Sequence, residues 1–353
     1  MRFHPTQEQD AIVDAIKGTL ENEWSARLAA YVETEEDFDQ RSWDALMSLG
    51  IGGLLVPEAQ GGTGLGLVDA ALVMEAAGYL AAPGPIGEQM LAAGLLAAAG
   101  KLDPQRLAAV VDGRAVVSLA WGGRWHPDSW DVDFDGSTVE GTVRFVPAAQ
   151  AAHLFIVGVR GGGLVLVEAG EGMAITPVPS TDHSRRLSTV SFAGARAVSL
   201  CASGDPRVTR LFDAALVLSA ADALGTAQRC LDMTVGYAKD REQFGQPIGR
   251  FQALKHQIAD LALDVEPARA LMWYAAYACD SDLPDASRAA AMAKAHIADR
   301  QESVARGAVA SHGGIGYTWE YELSIWYRRA LHDHAWLGTP QVHRARAAEM
   351  AQW

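Results

Sequence analysis

Cysteine is scarce in this chain, with three residues in 353. Cys201, Cys230 and Cys279 lie far apart and form no C-x-x-C pair. That spacing argues against a disulfide framework or a thiolate metal site, and it reads as buried apolar thiols in a reducing compartment. Runs of lysine and arginine are missing as well. With a formal net charge of -14, the chain is repelled by phosphate backbones, so neither nucleic acid nor an acidic membrane surface is an expected partner. A local basic pocket for an anionic cofactor remains compatible with that average. Gly, Pro or Glu breaks every apolar run well short of a membrane span. The N-terminus, Met1-Arg2-Phe3-His4-Pro5-Thr6, turns polar at once and lacks the apolar core of a signal peptide. The expected location is the cytoplasm.

What is present fits a globular enzyme-sized protein. About half the residues are apolar (49%) and a fifth charged (20%), enough to pack two or three subdomains around one core. Residues 1–112 read as helical. Thr6 is placed to cap a helix with Ile12, Val13, Ile16 and Leu20 on one face, and a second helix closes at Gly50. The glycine-rich stretch Val56-Pro57-Glu58-Ala59-Gln60-Gly61-Gly62-Thr63-Gly64 is a loop. Residues 113–203 change character. Short Val, Leu and Phe-rich segments at Ala115–Ala120, Thr138–Val146, Leu154–Val159 and Gly163–Glu168 predict a β-domain, a small barrel or sandwich, with a hairpin turn at Gly161-Gly162-Gly163. Residues 204–353 are helical again, with long amphipathic stretches over Val208–Ala238, Phe251–Cys279 and Ala286–Val309.

Four local strings stand out. The first is Tyr237-Ala238-Lys239-Asp240-Arg241-Glu242-Gln243-Phe244-Gly245-Gln246-Pro247-Ile248, followed by Phe251-Gln252-Ala253-Leu254-Lys255-His256. By itself it describes a helix end, with Gly245 as cap, Phe244 packed back and Pro247 blocking continuation. The others are His312-Gly313-Gly314-Ile315-Gly316-Tyr317-Thr318-Trp319-Glu320, Leu337-Gly338-Thr339-Pro340-Gln341, and Val56-Pro57-Glu58 with its following glycines. Together, and in this order, they resemble the R-x-x-F-G, F-Q-x-x-K-H, H-G-G-x-G-[FY]-x-x-E, E-G-T-x-Q and V-P-E-x-x-G-G segments of the acyl-CoA dehydrogenase family. The resemblance spans the whole chain, densely beyond residue 204 and thinly across the β-domain.

The resemblance implies an α+β fold: an N-terminal helical domain (1–112), a central small β-barrel domain (113–203) and a C-terminal antiparallel four-helix bundle (204–353). The implied activity is α,β-dehydrogenation of an acyl-CoA thioester with FAD as hydride acceptor, and an electron-transfer protein as the onward acceptor. FAD in this family lies between subunits. The residues matching its contacts are Arg241, Phe244, Gln252, Gly313, Gly314, Thr339 and Gln341. A diphosphate is well served by a guanidinium and by backbone N–H groups that no Cβ shields. No metal is implied.

The departures are as informative. Removing a Cα proton needs a positioned base. The family's usual Glu before Gly-Thr is Leu337 here, and its alternative position on the long helix is Ala215. Neither side chain accepts a proton. Asp222 lies seven residues after Ala215, on nearly the same helix face and about 10 Å further along, and is the one candidate for a relocated base. Glu320 matches a family Glu that is not the usual base. Val117–Trp125 replaces a T-E-P-x-x-G-S-type flavin-contacting stretch, Arg144–Ala148 replaces W-I-T-N, and Ala310 stands where a cofactor-contacting Gln is common. Diphosphate-side positions are kept while ring-side and base positions are lost. This pattern is similar to the shorter, base-lacking chain of actinobacterial-type α2β2 heterotetramers, several of which act on CoA thioesters of steroid side chains. The implied partner is a longer homologous catalytic subunit. The alternatives are a self-sufficient homotetramer with a relocated carboxylate and a non-enzymatic relative that binds a CoA thioester.

Overall fold

The computed structural model describes residues 4–122, 124 and 126–352. Met1, Arg2 and Phe3 of the N-terminal reading and Gly123 and Trp125 of the Val117–Trp125 stretch lie outside the described residues. The chain opens with α1 (Gln7–Glu23), α2 (Leu28–Tyr31), α3 (Gln40–Ser48), α4 (Leu67–Tyr79), α5 (Ile86–Ala99) and α6 (Pro104–Val111). Thr6 caps α1 as expected. Its hydroxyl accepts from Gln9 N–H while the Gln9 side chain accepts from Thr6 N–H, which satisfies two otherwise orphaned donors.

Among the described residues seven strands follow: β1 (Val117–Ala120), β2 (Asp133–Phe134), β3 (Thr138–Pro147), β4 (Leu154–Val159), β5 (Gly163–Glu168), β6 (Met173–Val178) and β7 (Leu187–Cys201). Their order is β1-β4-β5-β7-β3-β2, with β6 also on β7. Among the described strands β1 and β4 form a parallel ladder and the other ladders are antiparallel, with one isolated parallel bridge between Val132 and Val159. β7 holds the domain together. Its first half pairs with β3 and β6 and its last residues with β5, so one long strand serves both halves of the wrap. The open side is bridged by the Ser118 hydroxyl, which donates to the Pro147 carbonyl at 2.6 Å. Arg160, Gly161 and Gly162 connect β4 to β5, both glycines at positive φ, as the hairpin reading requires.

The last part holds α7 (Pro206–Asp240), a small hairpin of β8 (Glu242–Gln243) and β9 (Gln246–Pro247), then α8 (Gln252–Asp280), α9 (Ala286–His312), α10 (Leu323–Ala335) and α11 (Pro340–Met350). α7, α8 and α9 pack together, and α10 and α11 lie along α9. One apolar core runs from Ile16 in α1 through α4 and α5 into α7 and α9, and a second fills the β-domain around Val139, Phe155 and Val190.

The contact of α4 with α7 is unusually close, and two glycines permit it. A Cβ on Gly78 would sit 2.1 Å from the Asp222 carbonyl oxygen, and one on Gly225 would sit 1.9 Å from that of Glu75. This closeness sets Asp222 deep between the N-terminal helices and the C-terminal bundle.

Candidate functional site

A cavity opens where α5, α7, the end of α10 and the edge of the β-domain meet. Both vacated base positions line it: Ala215 on α7 and Leu337 just past α10. Leu337 is 2% exposed and holds a positive φ of 57°, a backbone state that a branched side chain adopts only when its surroundings impose it. One such constraint is visible, since Leu337's carbonyl accepts from His343 Nε2 at 2.9 Å. The backbone therefore presents residue 337 to the cavity with a side chain that has no proton chemistry.

Asp222 lines the same cavity and is fully buried. It is clamped by two arginines. Arg329 donates through Nε at 3.0 Å and Nη2 at 2.6 Å, one bond to each carboxylate oxygen, and Arg185 Nη2 lies 2.6 Å away. Arg329 also donates to the Ser184 hydroxyl at 2.8 Å and the Ala82 carbonyl at 3.2 Å. Burial by itself pushes an acid up; here Arg185 and then Arg329 outweigh it and hold Asp222 below the ordinary carboxylate range. A carboxylate so firmly ionised, with its lone pairs filled by two guanidiniums, is a weak proton acceptor. The geometry thus speaks against Asp222 as a relocated base and gives it the role of anchor in a buried ionic lattice.

The rest of the lattice lies within reach. Arg185 Nη1 is 3.4 Å from Asp333, and Gln301 Nε2 donates to Asp333 at 2.9 Å. Burial raises the Asp333 carboxyl and lowers the Lys294 ammonium, whose Nζ donates to the Ser219 hydroxyl at 3.1 Å and to the Asp333 carbonyl. Glu88 on α5 also lines the cavity, and burial pushes its carboxyl up. Sequence reasoning passed over Arg185, Arg329, Lys294, Asp333 and Glu88. The one available signal was the pair of arginine doublets, Arg185-Arg186 and Arg328-Arg329.

The diphosphate-side candidates gather elsewhere, at one exposed end of the bundle. Tyr237 near the end of α7 stacks on His312 at the end of α9, ring centroids 4.4 Å apart, so Arg241 and Gly313-Gly314 emerge side by side. Gln252 starts α8 beside them. Arg241 is exposed, and among the described residues its guanidinium has no ion-pair partner. Gly313 takes φ 66° and ψ -142°, a state open essentially to glycine alone, and among the described residues none but the chain neighbours comes within 4 Å of a Cβ on Gly313 or Gly314. Phe244 does not pack back on its helix as the helix-end reading had it. It is 93% exposed at positive φ, and its ring makes an edge contact with Phe251 at 6.1 Å. Tyr317 and Trp319 are also largely exposed at this end.

Thr339 and Gln341 are not part of that group. They open α11, which lies near Asp299 through the Arg344–Asp299 ion pair, roughly 20 Å along α9 from Gly313 at 1.5 Å per residue. The sequence-expected contacts fall into two groups too far apart for one phosphate pair.

The two segments that stand in for the flavin-contacting stretches do meet. Trp121, Gly122, Thr142, Arg144 and Phe145 line a slot of about 440 Å³. Its floor is Trp121 stacked on Trp130, 5.7 Å apart at 15°. The hydroxyl of Thr142 is already engaged with that of Ser191 at 3.1 Å. The exposed bundle end therefore suits an anion such as a diphosphate, with a free guanidinium and unshielded backbone. Among the described residues the slot offers indole faces in place of free hydroxyls, and the hydroxyl-bearing ring-side set expected for FAD does not line it.

Comparison with known proteins agrees across the chain. Residues 6–106 match the acyl-CoA dehydrogenase N-terminal domain and residues 203–352 the acyl-CoA dehydrogenase C-terminal domain. The acyl-CoA dehydrogenase IpdE2 of Mycolicibacterium smegmatis is 32% identical over 346 residues, covering 95% of this chain and 96% of the relative. Among solved structures, a Tcur3481-Tcur3483 steroid ACAD variant superposes with a TM-score of 0.89 at 27% identity over 98% of both chains. The ChsE4-ChsE5 complex of Mycobacterium tuberculosis gives 0.87 at 26% identity over 100% of this chain and 99% of the other. Helices at both ends, the β-domain between them and the matching strings at their places in the fold lead to one conclusion: this chain belongs to the acyl-CoA dehydrogenase family, the flavin-dependent oxidoreductases that act on acyl-CoA.

Proposed function

We propose that this chain is the base-lacking subunit of a hetero-oligomeric acyl-CoA dehydrogenase, lending the diphosphate-holding edge to an FAD seated mainly in a longer catalytic partner. The observation that carries the reading is the wall of its own cavity. Both positions from which the family draws its base are apolar, Leu337 and Ala215, and the acid on the same helix face, Asp222, is committed to Arg185 and Arg329. FAD, when bound, supplies the hydride acceptor. This chain's part is to hold: Arg241 offers charge-assisted hydrogen bonds to a phosphate, the Gly313-Gly314 backbone approaches it closely, and the exposed Phe244 ring covers apolar surface of the cofactor or its host. All three sit on the outside of the chain, where a neighbouring subunit reaches them and this chain's own cavity does not.

Two similar structures favour a heteromeric assembly, since each is named for two different proteins, ChsE4 with ChsE5 and Tcur3481 with Tcur3483. The second of these is named a steroid ACAD, which favours a bulky acyl group as substrate class. The test is steady-state dehydrogenation of acyl-CoA thioesters with an electron-accepting dye. The purified chain alone is expected to give no turnover, and the chain with a longer co-expressed homologue to give full turnover. Comparable turnover by the chain alone contradicts the proposal.

A further inference from the structure

The cavity that holds the vacated base positions is too small for the job its position suggests. Its free volume is about 60 Å³, well below the roughly 150 Å³ of an apolar cavity that takes up benzene. Yet the walls are built from small residues, among them Ala77, Ala82, Gly84, Gly87 and Ala215, which leave space between the helices. Guanidinium groups fill that space. We propose that Arg185 plugs this chain's own acyl pocket, so that the acyl-CoA is taken only by the pocket of the catalytic partner.

Arg185 enters the lattice from outside the helices. It comes from the segment between β6 and β7, residues 179–186, and reaches across to Asp222 on α7 at 2.6 Å and Asp333 on α10 at 3.4 Å. The segment is fastened on both sides of the plug. Ser184 N–H and hydroxyl donate to Asp182 at 2.8 and 2.6 Å, and Ser184 Oγ accepts from Arg329 at 2.8 Å. On the far side, His183 Nδ1 meets the Val32 carbonyl at 3.0 Å and Arg186 donates to the Thr34 carbonyl. Ala215, Arg185 and Asp222 line one cavity, so an alkyl or ring system seated beside Ala215 has the Arg185–Asp222 ion pair for a wall. Displacing Arg185 would strand the buried Asp222 with one counter-ion fewer, a strongly unfavourable step. The arrangement is a repulsive device: a charge-filled slot rejects an apolar chain without touching affinity elsewhere. In a subunit without a base it has a purpose, because a pocket able to seat substrate but not to dehydrogenate it would sequester acyl-CoA unproductively.

The inference rests on the proposed function, and binding tests it separately from turnover. Octanoyl-CoA and free CoA are titrated by calorimetry into the full chain and into Arg185→Ala, with circular dichroism as the fold control. The wild-type chain is expected to bind octanoyl-CoA no more tightly than CoA. Arg185→Ala is expected to prefer octanoyl-CoA by at least about 10-fold, the gain from seating only two methylenes. Should Arg185→Ala fail to fold, Arg185→Ala/Asp333→Asn removes one carboxylate left facing the gap and carries the same expectation. A wild-type chain that prefers octanoyl-CoA by 10-fold overturns the plug even if it shows no turnover. A folded variant without that preference overturns it as well. Turnover by the wild-type chain alone would instead overturn the proposed function, whatever the binding ratio.

Discussion

Asp222→Asn separates the two roles open to that residue. The carboxylate accepts three charge-assisted contacts, two from Arg329 at 3.0 and 2.6 Å and one from Arg185 at 2.6 Å. An asparagine of the same shape keeps one acceptor oxygen and turns an NH2 donor toward a guanidinium donor. Removing one side of a buried ion pair costs about 3–5 kcal/mol. If the 353 residues unfold as one unit, the unfolding entropy is roughly 0.7 kcal/mol per degree, so the loss lowers Tm by about 4–7 °C. A base at this position would instead show itself in kcat, with general-base removal costing about 100-fold or more. The assay is differential scanning fluorimetry of the chain alongside dye-coupled turnover of the assembled complex. A clear fall in Tm with kcat within about 10-fold of wild type supports the lattice role. A loss of 100-fold or more in kcat with Tm and flavin content unchanged refutes it and restores Asp222 as the base. The pH dependence follows the same logic. A depressed carboxyl stabilises the fold above the unfolded pKa near 3.9, and that stability is lost as pH falls through the still lower folded value. Acid titration of Asp222→Asn is therefore expected to be shallower than that of wild type below about pH 4.

Asp333→Asn is expected to act in the opposite sense. Its carboxyl is raised by burial, so folding binds a proton and stability falls as pH rises from the unfolded value toward the folded one. The variant should lose less stability at pH 8 than Asp222→Asn, and an equal or larger loss there argues against the raised carboxyl. Arg241→Ala should leave the Tm of the isolated chain within about 1 °C, since the side chain is exposed, while lowering the flavin retained by the complex after gel filtration; unchanged flavin removes Arg241 from the site. Gly225→Ala places a methyl 1.9 Å from the Glu75 carbonyl oxygen, so overpacking of at least about 1–3 kcal/mol is expected, read as a lower urea midpoint. An unchanged midpoint would mean that α4 and α7 are free to move apart.

The long helices were legible in the sequence because a single apolar face persists over many turns, and β4 and β5 were bounded by the turn chemistry of Gly161 and Gly162. β6 and β7 were harder to see. β6 carries Pro177 at an edge, and β7 alternates poorly because its two halves face different neighbours. The exposed bundle end was legible because Arg241, Phe244 and Gln252 sit close together in sequence. The ionic lattice was not, since Asp222 and Arg329 lie 107 residues apart and an arginine doublet alone does not tell whether its charge is buried. Phe244 shows the limit of a local string: the helix-end reading turns its ring inward and the cofactor reading turns it outward, and only the tertiary structure, with the ring 93% exposed, separates them.

Flavin stoichiometry tests the central claim most directly. The chain is purified alone and again after co-expression with a longer homologous subunit, and the visible spectrum is recorded before and after addition of acyl-CoA. The account predicts a colourless chain alone and, in the complex, fewer flavins than chains, bleached by substrate. One tightly held flavin per copy of this chain in a homo-oligomer, bleached by acyl-CoA without any partner, contradicts it.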